Sequence, residues 1–396
     1  MNRRDFLLAS GAVAVGLGAS AAETAAAAEE TAPRIKKYNP LGKTGLKISD
    51  ISFGAGKLNT PSLVARAVDM GVNYFDTAPD YGQSEANIGK YIKESGARDK
   101  MVIASKFCKR VGYPGHLDAD APEKDYIESV EGSLKTLNTD YLDVVFVHAM
   151  GEPGVKFEER LLSQNMLNAY EKLKKAGKAR FLAVSSHGTN RLEELLTRAV
   201  KSGHYDIVMA AFNFMKFPGI PDLLKEAASA NVGVIAMKTL AGAKEMNLDP
   251  GAELFSHAAF KWVLKNPQVA GLVVTISSAQ DLAEYVKASG EPFTKKSQQT
   301  LDRYMAAYTK EYCRTGCGDC VGSCQSGVDI PGVLRQWMYF ADYHDEKRAL
   351  QAYAGMNPKA DACGACEAAM CESACPYGLP VANLLSRAHE GLSFTA

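Results

Sequence analysis

The chain has 396 residues, 46% of them apolar and 23% charged, with 45 Lys and Arg against 45 Asp and Glu. This is globular composition without net charge, which excludes a disordered chain and a nucleic-acid reader driven by global basicity. The length suits two domains, or one large barrel with an addition. Nine cysteines are no surplus, but eight fall between Cys313 and Cys375, so the last quarter of the chain differs chemically from the rest.

At the N-terminus, Arg3 and Arg4 precede an apolar stretch from Phe6 to about Leu17, followed by the small residues Ala19, Ser20 and Ala21. The order is that of an export signal, and the stretch is too short and too rich in Gly and Ala to span a bilayer. Arg3, Arg4, Asp5, Phe6 and Leu7 together resemble a twin-arginine signal, whose route carries proteins already folded around a cofactor; a plain secretory signal is the alternative. Residues 1–30 are therefore expected to be a signal peptide and linker. The mature chain is expected in the periplasm with no integral membrane segment.

Between Tyr38 and Ala288, short apolar runs alternate with stretches of helical spacing. The runs begin at Ile48, Val72, Met101, Leu142, Ala179, Ile207, Val232 and Gly271. Most are almost continuously apolar, as strands buried on both faces must be. Among the helices between them, Pro61 to Met70 places Leu63, Ala67 and Met70 on one face, and Ile127 to Leu137 does the same with Ile127, Val130, Leu134 and Leu137. Eight such units predict a (β/α)8 TIM barrel over residues 31–300, followed by an all-α cysteine-rich domain over 301–396. An open doubly wound sheet is the alternative, but no G-x-G-x-x-G follows any run.

Chemistry in such a barrel sits where strands end. Asp76 ends the second run, Tyr81 lies in the loop after it, Lys106 ends the third and His148 ends the fourth. A phenol with an ordinary pKa of ~10 gives up its proton poorly at neutral pH. A Lys106 ammonium held by Asp76 would lower that value and make Tyr81 a general acid. Taken singly, each residue also fits a structural role as helix cap, surface charge or satisfied histidine.

Residues 38–288 resemble an aldo/keto reductase. The segments YNPLGKTGLKISDISFGAG, GVNYFDTAPDYGQSEANIGKYI, ASKF, LNTDYLDVVFVHAM and GVIAMKTLAG are similar to that family's in order and spacing. The resemblance implies that Tyr81, Asp76, Lys106 and His148 form the catalytic tetrad. It implies proton donation by Tyr81 to a small carbonyl substrate, with the alcohol as product, as hydride arrives from NADP(H) or NAD(H). It places Ser185, Ser186 and Asn213 at the nicotinamide, Lys238 near it, and Ser277 and Ser278 at the adenosine phosphate, before a helix N-terminus. Asp281 and Tyr285 depart from the family's pattern there, and a carboxylate repels a phosphate.

The tail reads Cys313-x3-Cys317-x2-Cys320-x3-Cys324 and then Cys363-x2-Cys366-x4-Cys371-x3-Cys375-Pro376. Two quartets at such spacing fit one or two 4Fe-4S clusters; two zinc sites or four disulfides satisfy the same count. The tail resembles the ferredoxin-like addition of iron-sulfur aldo/keto reductases, with Gln325 in place of the usual Pro. By the ferredoxin rule the fourth Cys of each run joins the other cluster, grouping Cys324 with Cys363, Cys366 and Cys371, and Cys375 with Cys313, Cys317 and Cys320. Pro331 to Ala354 is expected to be helical, and Cys108 a packed thiol without a partner. The combined expectation is a carbonyl/alcohol oxidoreductase coupled to iron-sulfur clusters and served by a redox protein or quinone-linked carrier, with no nucleic-acid partner. The alternatives are an electron-transfer protein using a cofactor other than free NAD(P)H, and a reductase whose tail is purely structural.

Overall fold

The computed structural model describes residues 32–150, 157–186, 191–215, 217, 219–244 and 252–393. The expected signal over residues 1–30 lies outside the described residues. A hairpin of β1 (Tyr38–Pro40) and β2 (Lys47–Ser49) leads into β3 (Ile51–Gly54), β4 (Tyr74–Asp76), β5 (Val102–Lys106), β6 (Leu142–Met150), β7 (Ala179–Ser186), β8 (Ile207–Ala211), β9 (Gly233–Met237) and β10 (Val269–Thr275). Strands β3 to β10 are all parallel and close on themselves, β10 pairing with β3. Each of the eight apolar runs becomes one barrel strand. The run at Ile48 is also shared with the hairpin, because Asp50 interrupts it and accepts from Ser289 Oγ and the Gly290 N–H instead of joining a strand.

Two apolar layers hold the barrel together. Tyr74, Val102, Ala104, Val144, Phe146, Ala183, Ile207, Met209 and Ile235 point inward and fill its interior, while a larger layer joins the outer strand faces to the helices. Leu41 and Ile48 of the hairpin belong to the inner cluster and are wholly buried, and the Lys43 N–H donates to the Asn231 carbonyl. The hairpin thereby plugs the end where the strands begin. The end where they finish is left for other uses.

After β10 the chain is helical. Lys295–Tyr308 runs continuously through residue 300, and Ile330–Ala341, Glu346–Ala354 and Val381–Leu392 follow. The stretch from Pro331 to Ala354 is helical as expected, in two helices that part where His344 takes a left-handed backbone (φ 51°). Among the described residues no helix is long and apolar enough to cross a membrane.

The helix Ser84–Ser95, which follows the Tyr81 loop, touches Glu123–Leu137 at Gly89, where an added Cβ would lie 2.2 Å from the Thr136 carbonyl oxygen. Gly132, on the second helix, has no such neighbour within 4 Å. Gly89→Ala is therefore expected to lower stability by about 1–3 kcal/mol, and Gly132→Ala to raise it by roughly 0.4–1 kcal/mol. Opposite shifts in melting temperature are the expected result.

Candidate active site

Asp76 is the last residue of β4 and Lys106 the last of β5, side by side on one rim and each about 95% buried or more. Lys106 Nζ lies 2.7 Å from Asp76 Oδ1 and donates to the Thr77 carbonyl at 3.0 Å. An ion pair this deep depends on both partners, since removing either leaves an uncompensated charge. Burial raises the Asp76 carboxyl above its ordinary value, and Lys106 only partly offsets this.

Tyr81 sits in the tight turn between β4 and the next helix, its N–H donating to the Ala78 carbonyl and its carbonyl accepting from Ser84. Its Oη lies 3.3 Å from His148 Nε2, and Lys106 Nζ lies 5.2 Å from its ring centre. All four residues of the expected tetrad thus meet. Their electrostatics differ from the expectation. Burial, reinforced by the negative groups Asp76, Asp80 and Cys108, pushes the Tyr81 phenol well above its usual value, and Arg348 from the tail opposes this. Lys106 is engaged by Asp76, and it is burial above all that holds the proton on Tyr81.

His148 comes where the β6–β7 ladder slips between Val147 and Met150, beside Ala149 in a left-handed conformation (φ 53°). Such an irregularity re-aims a side chain at a barrel rim. The Arg160 guanidinium donates to the His148 carbonyl at 2.9 Å, and the His148 ring packs edge-on against Tyr81, Tyr113 and His116. Neither Tyr113 nor His116 stood out in the sequence. Cys108 does have partners, correcting the expectation of an isolated thiol: its Sγ lies 3.5 Å from His148 Nδ1 and 3.8 Å from His116 Nδ1.

The residues expected at the nucleotide also reach this rim, but each is engaged within the protein. Ser185 Oγ accepts from the Ala149 N–H, and Ser186 Oγ donates to the Met150 carbonyl. Asn213 Nδ2 donates to the Lys238 carbonyl and to the tail phenol Tyr312 at 3.2 Å, while Lys238 Nζ donates to the tail phenol Tyr339 at 2.9 Å. Burial raises the Tyr339 phenol, and Lys238, Arg348 and Arg335 more than reverse this, so it ionises below the usual tyrosine value. At the expected phosphate position, Asp281 Oδ2 accepts from the Ser277 N–H, the Ser277 Oγ and the Ser278 N–H, while Ser278 Oγ accepts from the Asp281 N–H. This closed capping box places a carboxylate on the donors expected for the phosphate. The donors expected for an adenosine phosphate are thus taken up by Asp281.

The tail covers the rim. Lys57 Nζ donates to the Tyr343 carbonyl, Lys244 pairs with Asp342 at 2.8 Å, and the Arg348 guanidinium stacks 4.0 Å above the Tyr113 ring. The tail cysteines are free thiols that associate across the two runs. Burial, together with the neighbouring thiols of Cys320, Cys317 and Cys375, pushes Cys313 up to about 12. Cys363 is likewise pushed up to about 11 by burial and by Cys324, Cys371 and Cys366. Cys313, Cys317, Cys320 and Cys375 line one pocket with Ile330, Pro331 and Leu334.

Comparison with known proteins places this barrel. Residues 55–250 match the model of the aldo/keto reductase family. The chain is 28% identical over 288 residues to L-galactose dehydrogenase of Arabidopsis thaliana, covering 63% of this chain and 87% of that one. It is 22% identical over 332 residues to L-glyceraldehyde 3-phosphate reductase of Escherichia coli (68% and 92%). Its fold matches aldo-keto reductase AKR11C1 from Bacillus halodurans with a TM-score of 0.56 at 23% identity, covering 67% of this chain and 95% of that one. Residues 55–250 thus carry the match to the aldo/keto reductase family, and the chain is an oxidoreductase similar to those enzymes.

Proposed function

We propose that the chain interconverts a small carbonyl compound and its alcohol at Tyr81, exchanging electrons with iron-sulfur clusters in the tail. The carrying observation is the buried rim constellation, in which Tyr81 Oη faces His148 Nε2 beside the Lys106–Asp76 pair. Carbonyl reduction takes two electrons and two protons: the electrons would come singly from the clusters, Tyr81 gives the proton to the oxygen, and water gives the one to the carbon. Tyr81 holds the proton for the oxygen, and His148 orients that oxygen next to it. As negative charge builds on the oxygen, the Lys106 ammonium and the Arg348 guanidinium are the nearby cations that stabilise it. In the other direction the Tyr81 oxygen takes the alcohol proton.

Two observations support clusters in the tail. The thiols form two groups of four, and burial and mutual repulsion hold Cys313 and Cys363 protonated, so ionising them as ligands needs a cationic centre of the kind a cluster core would supply. A single zinc ion would draw its sulfurs to about 3.8 Å. Among the described residues no three tail thiols come within 4.8 Å of one another, the closeness a zinc site of tail thiols would need. Cys313, Cys317, Cys320 and Cys375 would hold one cluster, and Cys324, Cys363, Cys366 and Cys371 the other. When bound, these clusters supply one-electron transfer from an outside donor, a redox protein or a quinone-linked carrier.

Direct use of free NADPH is the second reading, favoured by the family match of the barrel. Asp281 on the donors of Ser277 and Ser278, and Tyr312 and Tyr339 on Asn213 and Lys238, weigh against it. We also propose export to the periplasm, on the Arg3 and Arg4 signal, where clusters fed by an outside carrier would serve without a nicotinamide pool. Fractionation of cells making the native chain and an Arg3→Lys, Arg4→Lys form checks this; equal export of both contradicts it.

Turnover of a panel of aldehydes and ketones with a reduced viologen as electron donor tests the function. Tyr81→Phe is expected to slow it by roughly 10²–10⁴-fold with the fold and iron content unchanged, and unchanged turnover would remove the acid assignment. In binding assays Asp281→Ser is expected to tighten NADPH at least tenfold over the native chain by freeing the three donors. Equal affinity would show that Asp281 does not hold that site closed.

A further inference from the structure

We propose that Asp80, Cys108, His116 and His148 bind one divalent cation of the zinc class in the wall of the active site. One carboxylate oxygen, the Cys108 sulfur and a ring nitrogen from each histidine lie within 4.8 Å of one another, the one such group among the described residues. Three successive strand ends contribute. Asp80 lies in the loop after β4, Cys108 follows β5 by two residues, and His148 belongs to β6. His116 is returned to the group by the loop after Cys108, through a backbone bridge between Cys108 and His116.

The spacing is that of a coordination shell. Bonds of about 2.0 Å to nitrogen and about 2.3 Å to sulfur in a tetrahedron set N and S roughly 3.5 Å apart. Cys108 Sγ stands 3.5 Å from His148 Nδ1 and 3.8 Å from His116 Nδ1. A second, independent observation is Asp80. The residue is 4% exposed, and Oδ2 accepts the Gly115 N–H at 2.9 Å, but Oδ1 is buried with no N–H or O–H donor, and the Cys108 thiol is the weak donor beside the carboxylate. A buried carboxylate oxygen left without an N–H or O–H donor costs free energy unless something else satisfies it. A cation beside a thiol and two imidazoles does so. The donor set of one sulfur, two nitrogens and one oxygen is that of zinc or its tetrahedral substitutes, and a thiolate with a carboxylate balances the two charges of the ion.

Four protein ligands leave no open position, so the ion does not touch substrate. It acts through His148, and this consequence rests on the reductase reading. With Nδ1 taken by the metal, the His148 proton resides on Nε2, the nitrogen that faces Tyr81 Oη at 3.3 Å. The metal makes His148 a fixed donor to the oxygen at the reacting centre, and makes it a positioning partner for Tyr81.

The test is metal analysis of the full chain with its iron in place. The protein is equilibrated anaerobically with excess zinc, passed through a weak chelator and assayed for zinc and iron, alongside Cys108→Ser, His116→Gln and Asp80→Asn. The native chain is expected to retain one zinc more than each variant, with iron equal in all four. Cobalt in place of zinc is expected to show a sulfur-to-cobalt charge-transfer band that Cys108→Ser abolishes. Equal zinc in the native chain and the variants would overturn the site. Should Cys108→Ser lose its iron and circular dichroism, His116→Gln and Asp80→Asn, which leave the thiol in place, decide the question. Zinc retained without carbonyl turnover keeps the metal and removes the reductase reading; turnover without variant-sensitive zinc does the reverse.

Discussion

Parallel strands closed into a ring can present their carboxyl ends only at one rim, and here the other rim is stopped by the N-terminal hairpin with Leu41 and Ile48. Every polar residue that ends a strand therefore converges on the same mouth. Asp76, Lys106, His148, Ser186 and Lys238 become neighbours although the chain distributes them over more than 160 positions. The apolar filling of the barrel beneath them excludes water, which makes the Lys106–Asp76 pair strong and obligatory together. It also makes the Tyr81 proton hard to remove until charge develops next to it.

The same constraint explains the tail. A single open mouth is the one surface from which electrons or substrate can reach the site, and the C-terminal helices are seated there. Tyr312 and Tyr339 take up Asn213 and Lys238, Asp342 takes up Lys244, and Arg348 lies over Tyr113. Polar groups that would meet a nucleotide in an open barrel meet the tail instead. The two thiol groups hang from the helices that make these contacts, which gives the rim a short connection to any redox centre they hold.

Much of this was legible in the residues. Eight apolar runs were enough for the barrel because a strand buried on both faces has no other appearance, and the tetrad could be read from strand ends. The ferredoxin rule grouped Cys375 with Cys313 and Cys324 with Cys363, and these thiols are neighbours in the fold. What the sequence did not disclose depends on contacts between distant positions. The Asn213–Tyr312 and Lys238–Tyr339 bonds join residues 99 and 101 apart, and no local pattern marks them. Cys108 looked solitary because His148 is 40 residues away and His116 returns only through an irregular loop. The direction of the Tyr81 shift was missed for a related reason. Proximity of Lys106 was legible, but its prior commitment to Asp76 and the burial of the phenol were not. The break at His344 falls in the polar run Asp342 to Arg348, which carries no Gly or Pro to mark a helix end, so the two helices are not separable by a breaker residue.

The central claim is that electrons pass between the tail and the carbonyl site. It is tested most directly by reducing the purified protein anaerobically, removing the reductant, and following the visible absorption of the tail after a panel of aldehydes and ketones is added, with iron and sulfide assayed on the same sample. The account predicts iron and sulfide at about eight each per chain, and reoxidation by a carbonyl compound that Tyr81→Phe slows strongly. A chain without iron that reduces aldehydes with free NADPH at ordinary rates would contradict it.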